Sequence, residues 1–594
     1  MTATRHPSRR LTHPPELFAL VAALLFVASS CSAESSPASK AERDGQGIIL
    51  TDVTEEAGLA AFRHENGATG KKLFPEMMGS GGGFIDYDGD GLLDIILLGG
   101  GSFESSTAND VRAIWLFRNE GDGTFSDRTA AAGLAGVDAY TIGMAAADYD
   151  NDGDEDFIVT NLGEDMLFRN DGGLFTEVGK HAGIGYQWEW GSSPIFFDAD
   201  LDGDLDLFVG NYTQWSLETD KWCPEGSLAK VYCIPADYDG IASRFYRNNG
   251  DGTFEDQTEE AGFITGERSI RDKALGVVEF DFNSDGWPDL YVATDGEGNL
   301  LYANDGDGTF TERGVLSGVS FSEHGEARAG MGVDAGIADS TGQVSLFVGN
   351  FSEEPISVYR HLGNGLFTDR TAASRLAQPS YLTLTFGLFL FDPDLDGDLD
   401  LFAANGHVYP DRLGSQDKIT LEQPAQLYLN NGDGTFAEFL PPDGVLTERM
   451  IARGAAYADY DRDGDLDILV TENAGPAHLW RNDTKTGNFL RVKLEGRESN
   501  RDALGSRVVA DLNGLRMEQR IRTGSSYLSQ SEKVAVFGLG DANRIDSLVV
   551  HWPNGIVHRF ADVEANQELR IVEDRGTLVP VPMSDIQQKS LAGR

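Results

Sequence analysis

A nine-residue acidic pattern recurs along this chain at intervals of about 50–80 residues, and a repeat of that length marks units that bury their apolar faces against one another. DYDGDGLLD starts at Asp86, DYDNDGDED at Asp148 and DADLDGDLD at Asp198. DFNSDGWPD starts at Asp281, DPDLDGDLD at Asp392 and DYDRDGDLD at Asp459. A damaged copy, DAGIADSTGQVSLFVGN, starts at Asp334; aligned on that residue it carries three extra residues and places Ser345 where the closing Asp stands elsewhere.

A second element keeps step with the first. LFRNEGDGTF begins at Leu116, LFRNDGGLF at Leu167, FYRNNGDGTF at Phe245, LYANDGDGTF at Leu301, VYRHLGNGLF at Val358 and LYLNNGDGTF at Leu427, with LWRND at Leu479 as the last. Each reads as a strand, a tight Asn/Asp/Gly turn and another strand. With the strands that enter and leave each acidic loop, every unit has four short strands. The fourth is an F-x-D-x-T segment such as Phe125 to Thr129, and nothing like it follows LWRND. The missing copy lies at residues 50–59, where LTDVTEEAGL matches FSDRTAAAGL at 125–134. The expectation is an all-β chain: a seven-bladed β-propeller over residues 48–486, closed by the N-terminal strand so that no sheet edge is left open.

Three or four carboxylates at this spacing repel one another unless something positive sits among them. Hard oxygen ligands at alternate positions suit Ca²⁺, which accepts six to eight of them in flexible geometry, whereas zinc or copper would draw His or Cys. The candidate ligands are Asp86, Asp88, Asp90 and Asp94; Asp148, Asp150, Asp152 and Asp156; Asp198, Asp200, Asp202 and Asp206; Asp281, Asn283, Asp285 and Asp289; Asp392, Asp394, Asp396 and Asp400; and Asp459, Asp461, Asp463 and Asp467. This predicts about six calcium sites. It is not an EF-hand, because Val209 stands at position 12 of the 198 loop and strands flank it. The bland alternative, a merely soluble turn, would not need the same ligand positions six times.

The chain carries a formal charge of −49, and residues 48–486 alone carry −51 while 487–575 are neutral. Phosphate binding needs the opposite sign, so nucleic acid is not an expected partner. Residues 1–30 read as an export signal: Arg5, Arg9 and Arg10 precede an apolar run over residues 17–28. Ala28-Ser29-Ser30-Cys31 resembles a bacterial lipobox, with Cys31 as the lipidation site and the only route to a membrane; cleavage after Ala33 is the competing reading. The expected location is therefore the bacterial surface or periplasmic side of the outer membrane, otherwise free secretion. Residues 31–47 read as a flexible linker and 576–594 as a tail. Cys223 and Cys233 flank no His, and in an oxidising compartment a disulfide is the expected outcome.

The loops and turns together resemble the FG-GAP/VCBS repeats of integrin-like propellers. Residues 487–575 read as a small all-β domain, in which SNRDALGSRV, GSSYLSQSEKVAVFGLG and HWPNG resemble the ASPIC/UnbV module. The combination resembles the cartilage acidic protein-like family, which implies a secreted or surface calcium-binding protein and supplies no catalytic residues. Arg507, Arg516, Arg520 and Arg522 offer a positive face to set against the acidic propeller.

Outside the repeats, the insertion YTQWSLETDKWCPEGSLAKVYCIPADYDG is long and aromatic, and Trp188, Trp190, Trp215 and Trp222 could stack on a sugar or pack beneath it. His324 and His407, with Glu323 or Glu326, are the weak catalytic candidates. There is no GxSxG, HExxH or P-loop. The expected function is recognition or adhesion toward an extracellular protein or glycan; the alternative is a calcium-stabilised enzyme acting on an extracellular polymer.

Overall fold

The computed structural model of this protein describes residues 47–103, 111–225, 229–264, 272–409, 418–484 and 487–581. The export signal, Cys31 and most of the expected linker lie outside them. No helix among these residues is long and apolar enough to cross a membrane.

The fold is an all-β propeller of four-strand sets in sequence order. The first joins Gly82–Ile85, Asp94–Leu98, Ile114–Asn119 and Phe125–Asp127. The second begins at Thr141–Ala147 and the third at Glu189–Phe197, and the two are linked into one eight-stranded sheet by the pairs Glu189↔Gly163 and Trp190↔Leu162. Further sets begin at Ala274–Phe280, Val333–Ile337 and Thr385–Phe391. The last joins Ala452–Ala458, Asp467–Glu472 and Ala477–Asn482, and its fourth strand is Leu50–Asp52, with Leu50 opposite Asn482 and Asp52 opposite Trp480.

The strand patterns follow from position. Inner strands such as Thr385–Phe391 are buried along their whole length because neighbouring sets cover both faces. Outer strands such as Phe175–Glu177 bury only the leading Phe. Apolar clusters fill the space between successive sets: Phe84, Leu97 and Phe117 of the first pack with Ala456, Leu469 and Leu479 of the last. Phe402 and Leu427 pack likewise with Ile468 and Trp480.

A recurrent asparagine joins neighbouring sets. Asn119 Nδ2 donates to the Tyr460 carbonyl at 2.9 Å and to Leu93 O at 3.1 Å. Asn170 reaches Tyr87 O, Asn248 reaches Tyr149 O, Asn304 reaches Ala199 O, Asn430 reaches Ala338 O and Asn482 reaches Pro393 O, at 2.7–2.9 Å. Each is the Asn that ends a third strand, and each grips position 2 of an acidic loop in the preceding set.

The C-terminal domain has two four-stranded sheets. Asn488–Glu495 lies between Ala535–Gly540 and a parallel partner, Gln567–Val572, while Arg507–Leu512 lies between Leu515–Arg520 and Arg544–His551. Part of the expected tail is ordered, because Leu578–Pro580 adds an edge strand to Gln567–Val572; its later residues lie outside those described. Residues 523–533 leave the domain and enter the propeller. Val333 and Ser526 form a bridge, as do Gly83 and Gln530. Leu528 N donates to Ser193 Oγ at 3.0 Å, Met144 N donates to Leu528 O at 3.2 Å and Tyr457 N donates to Ser531 Oγ at 3.1 Å. The segment therefore satisfies inner-strand groups of several sets at once. Gly81 is required there: a Cβ would stand 1.7 Å from Leu528 O.

Candidate metal centres

Every acidic loop is shaped by its own carboxylates. The position-1 Asp is an internal cap: Asp148 Oδ2 accepts Gly153 N at 2.8 Å and Oδ1 accepts Asp152 N at 3.0 Å. Asp198, Asp281, Asp392 and Asp459 make the same pair of bonds. Asp86 accepts Gly91 N at 3.1 Å. Position 4 takes a left-handed backbone, as at Asn151 with φ 58° and Leu395 with φ 56°, so the chain turns sharply enough to aim positions 1, 3 and 5 inward.

The position-9 residues do something the repeat alone did not disclose. Asp94 accepts Tyr87 N on one oxygen and Asn119 N on the other, at 3.1 and 2.7 Å. Asp156, Asp206, Asp289 and Asp467 repeat both bonds, and Asp400 accepts Asn430 N at 2.7 Å. These buried carboxylates tie the loop to the third strand, and any metal bond they make is additional.

Oxygen atoms converge within 4.8 Å of one another in the groups Asp86–Asp88–Asp90, Asp148–Asp150–Asp156, Asp198–Asp200–Asp202 and Asp392–Asp394–Asp396. The Oδ1 atoms of Asp86, Asp88, Asp150 and Asp200 are buried without a hydrogen-bond partner. Burial pushes the Asp86 carboxyl up to about 6, with Glu155 adding repulsion. Burial does the same at Asp198, to about 7, with Asp202 as the next cause. Orphaned oxygens and strained charge in an all-oxygen donor set fit a hard divalent cation. In the 281 loop, Asn283 Nδ2 donates to Asp285 Oδ2 at 2.6 Å. In the 459 loop, Asp459 also meets Arg491 of the C-terminal domain at 3.3 Å. Arg118 reaches into the first loop, 2.6 Å from both Asp88 and Asp90.

The damaged loop is in register after all. Gly336 pairs with Ser345 as Phe391 pairs with Asp400, and eight residues separate each pair, so the expected three-residue insertion is absent. Asp334 belongs to the inner strand, where it meets Arg522 and accepts Leu390 N at 2.7 Å. The loop positions are Ile337, Asp339, Thr341 and Ser345, and the remaining carboxylate, Asp339, pairs with Arg360 at 3.1 Å.

Of the four candidate arginines, Arg520 meets Glu279 at 2.5 Å and Arg522 meets Asp334, both on inner strands. Arg507 and Arg516 face Glu518 of their own domain instead. Trp190 and Trp215, the latter within the insertion, are buried, while Trp188 and Trp222 are 54% and 68% exposed. The Cys223 and Cys233 sulfurs are bonded, which removes them as metal ligands. His324 is exposed with Glu323 at 3.9 Å, whereas His407 is buried against Ser352 Oγ at 3.1 Å; the two share no partner. Burial, helped by Arg453, pushes His407 down to about 4.

FG-GAP-like repeats match residues 86–159, 148–209, 281–348 and 392–470, and the ASPIC and UnbV model matches 496–578. Cartilage acidic protein 1 of Homo sapiens is 27% identical over 471 residues, covering 74% of this chain and 65% of the relative. The Xenopus tropicalis protein of that name is 27% identical over 460 residues, covering 72% and 64%. The chain thus spans just under two thirds of the length of these relatives. An Agrocybe aegerita lectin structure, described as recognising non-reducing terminal N-acetylglucosamine, aligns at 19% identity over 66% of this chain and 85% of its own, with a TM-score of 0.33. The chain belongs with the proteins that join FG-GAP-like repeats to an ASPIC and UnbV domain, and it is similar to cartilage acidic protein 1.

Proposed function

We propose that this protein is an exported, calcium-stabilised recognition module whose four-strand sets form a closed ring of seven blades, the eight-stranded sheet counting as two. The observation that carries the reading is the convergence of carboxylate oxygens within 4.8 Å in several loops, with orphaned Oδ1 atoms among them. Calcium neutralises that charge and sets the blades' outer geometry. Residues 523–533 of the C-terminal domain occupy the space among the inner strands, which leaves the disulfide-stapled insertion and the loops beside it to meet an extracellular protein or glycan. Export and a lipid anchor at Cys31 belong to the same reading and concern residues outside those described.

Thermal melting with calcium and with a chelator tests the metal half: an unchanged midpoint overturns it. A glycan and protein array probed with and without calcium tests recognition, and a blank array in both conditions overturns that half alone.

A further inference from the structure

The inner strands run from one end of the ring to the other, and the acidic loops follow their C-terminal ends. At their opposite ends lies a cavity of about 280 Å³. Its wall carries the rings of Phe74, Tyr212, Phe351 and Tyr409, and among the described residues that line it Asp295 is the single charged one. Phe74 and Tyr212 are stacked with centroids 5.8 Å apart, and Phe351 and Tyr409 lie 5.9 Å apart at 51°. The Tyr212 hydroxyl donates to Asp295 Oδ2 at 2.5 Å, which fixes the carboxylate among the rings. Ile234 and Pro235 close one side and come from the insertion that holds the Cys223–Cys233 bond.

We propose that this cavity binds a small organic cation with an apolar body, of the quaternary ammonium class. Aromatic faces attract such a cation and the attraction grows when water is excluded, while a fixed carboxylate supplies the counter-charge. The surroundings already show the chemistry: the Arg453 guanidinium, fully buried, lies 4.1 Å from the ring centroid of Phe386, which lines the same cavity. That guanidinium takes its hydrogen bonds to the carbonyls of Met77, Gly406, Ala452 and His407, so it makes no claim on Asp295. The strongly negative propeller adds a long-range preference for cations. A neutral ligand of the same shape would gain the apolar contacts and none of these terms.

The test is isothermal titration of the whole protein, in calcium buffer, with choline and with its neutral isostere 3,3-dimethyl-1-butanol. Choline should bind at least about ten-fold more tightly than the alcohol. Asp295→Asn, which keeps an acceptor for Tyr212, should lower choline affinity about ten-fold and leave the alcohol unchanged. Phe351→Leu, at a partly exposed ring, provides a second variant with the same expected direction should Asp295→Asn fold poorly. Equal binding of the two compounds, or binding of neither, overturns the proposal. Neither outcome bears on the metal loops, whose melting test is separate.

Discussion

Asp52 and His478 meet across 426 residues of chain, with Asp52 Oδ2 3.5 Å from His478 Nδ1. The imidazole's other nitrogen lies 2.8 Å from Glu472, so one ring fastens the N-terminal strand to the last set. Burial opposes the charged ring, yet the two carboxylates overcome it and push His478 up to about 9. Burial likewise opposes ionised Asp52, and bonds from His478 and Thr54 hold it at about 2.

The sign of the pH effect follows. A raised His pKa stabilises fully below its unfolded value near 6.5 and is lost as pH climbs to about 9. A depressed Asp pKa stabilises fully above its unfolded value near 3.8 and is lost as pH falls toward about 2. The contact should therefore be complete between those two unfolded values. His478→Gln should lower stability by about 1–2 kcal/mol at pH 6 and by much less at pH 9.5, as read from denaturant midpoints. A pH-independent difference would show that the ring acts by packing alone.

Position 3 of the acidic loops separates a metal site from a turn. In chelator, Asp150→Asn removes a crowded charge and should leave the melting temperature unchanged or raised. In saturating calcium the same substitution should lower it by several degrees, because a ligand is lost. Asp339→Asn in the fifth loop should show no such reversal, since Asp339 faces Arg360 at 3.1 Å. Differential scanning calorimetry of the two variants in both buffers decides it.

The asparagine bridge from the first set to the last should matter out of proportion to its size. Asn119→Ala leaves the Tyr460 and Leu93 carbonyls without their buried donor and should cost about 2–3 kcal/mol in urea denaturation. Asn249→Ala, in an exposed turn, should cost less than about 0.5 kcal/mol. Equal costs would mean that the two sets are not held by this bond.

The contacts of residues 523–533 with the inner strands predict that propeller and C-terminal domain unfold together. Leu528 is fully buried among inner strands, and Leu528→Ala should cost about 3 kcal/mol. A single transition by both calorimetry and hydrogen exchange is expected; two separated transitions in the native protein would refute the coupling.

Local pattern carried the strands, the turns, the acidic loops and the displaced outer strand, because alternation of period two and a repeated glycine record which faces are buried and where the chain must turn. Leu50–Asp52 was legible only as a copy of strands such as Phe125–Asp127, and its place beside Ala477–Asn482 agrees with that copy. Register was not legible where a stray carboxylate imitated the motif: Asp334 looked like position 1 of the fifth loop, and only the pairing of Gly336 with Ser345 puts it in the strand. Nor was the role of residues 523–533. Their sequence showed only a resemblance to the ASPIC/UnbV module, yet in the fold they meet N–H and C=O groups of inner strands far away in sequence. Hydrogen bonds between segments hundreds of residues apart leave no period in either segment, so the tertiary structure alone decided that residues 523–533 join the inner strands.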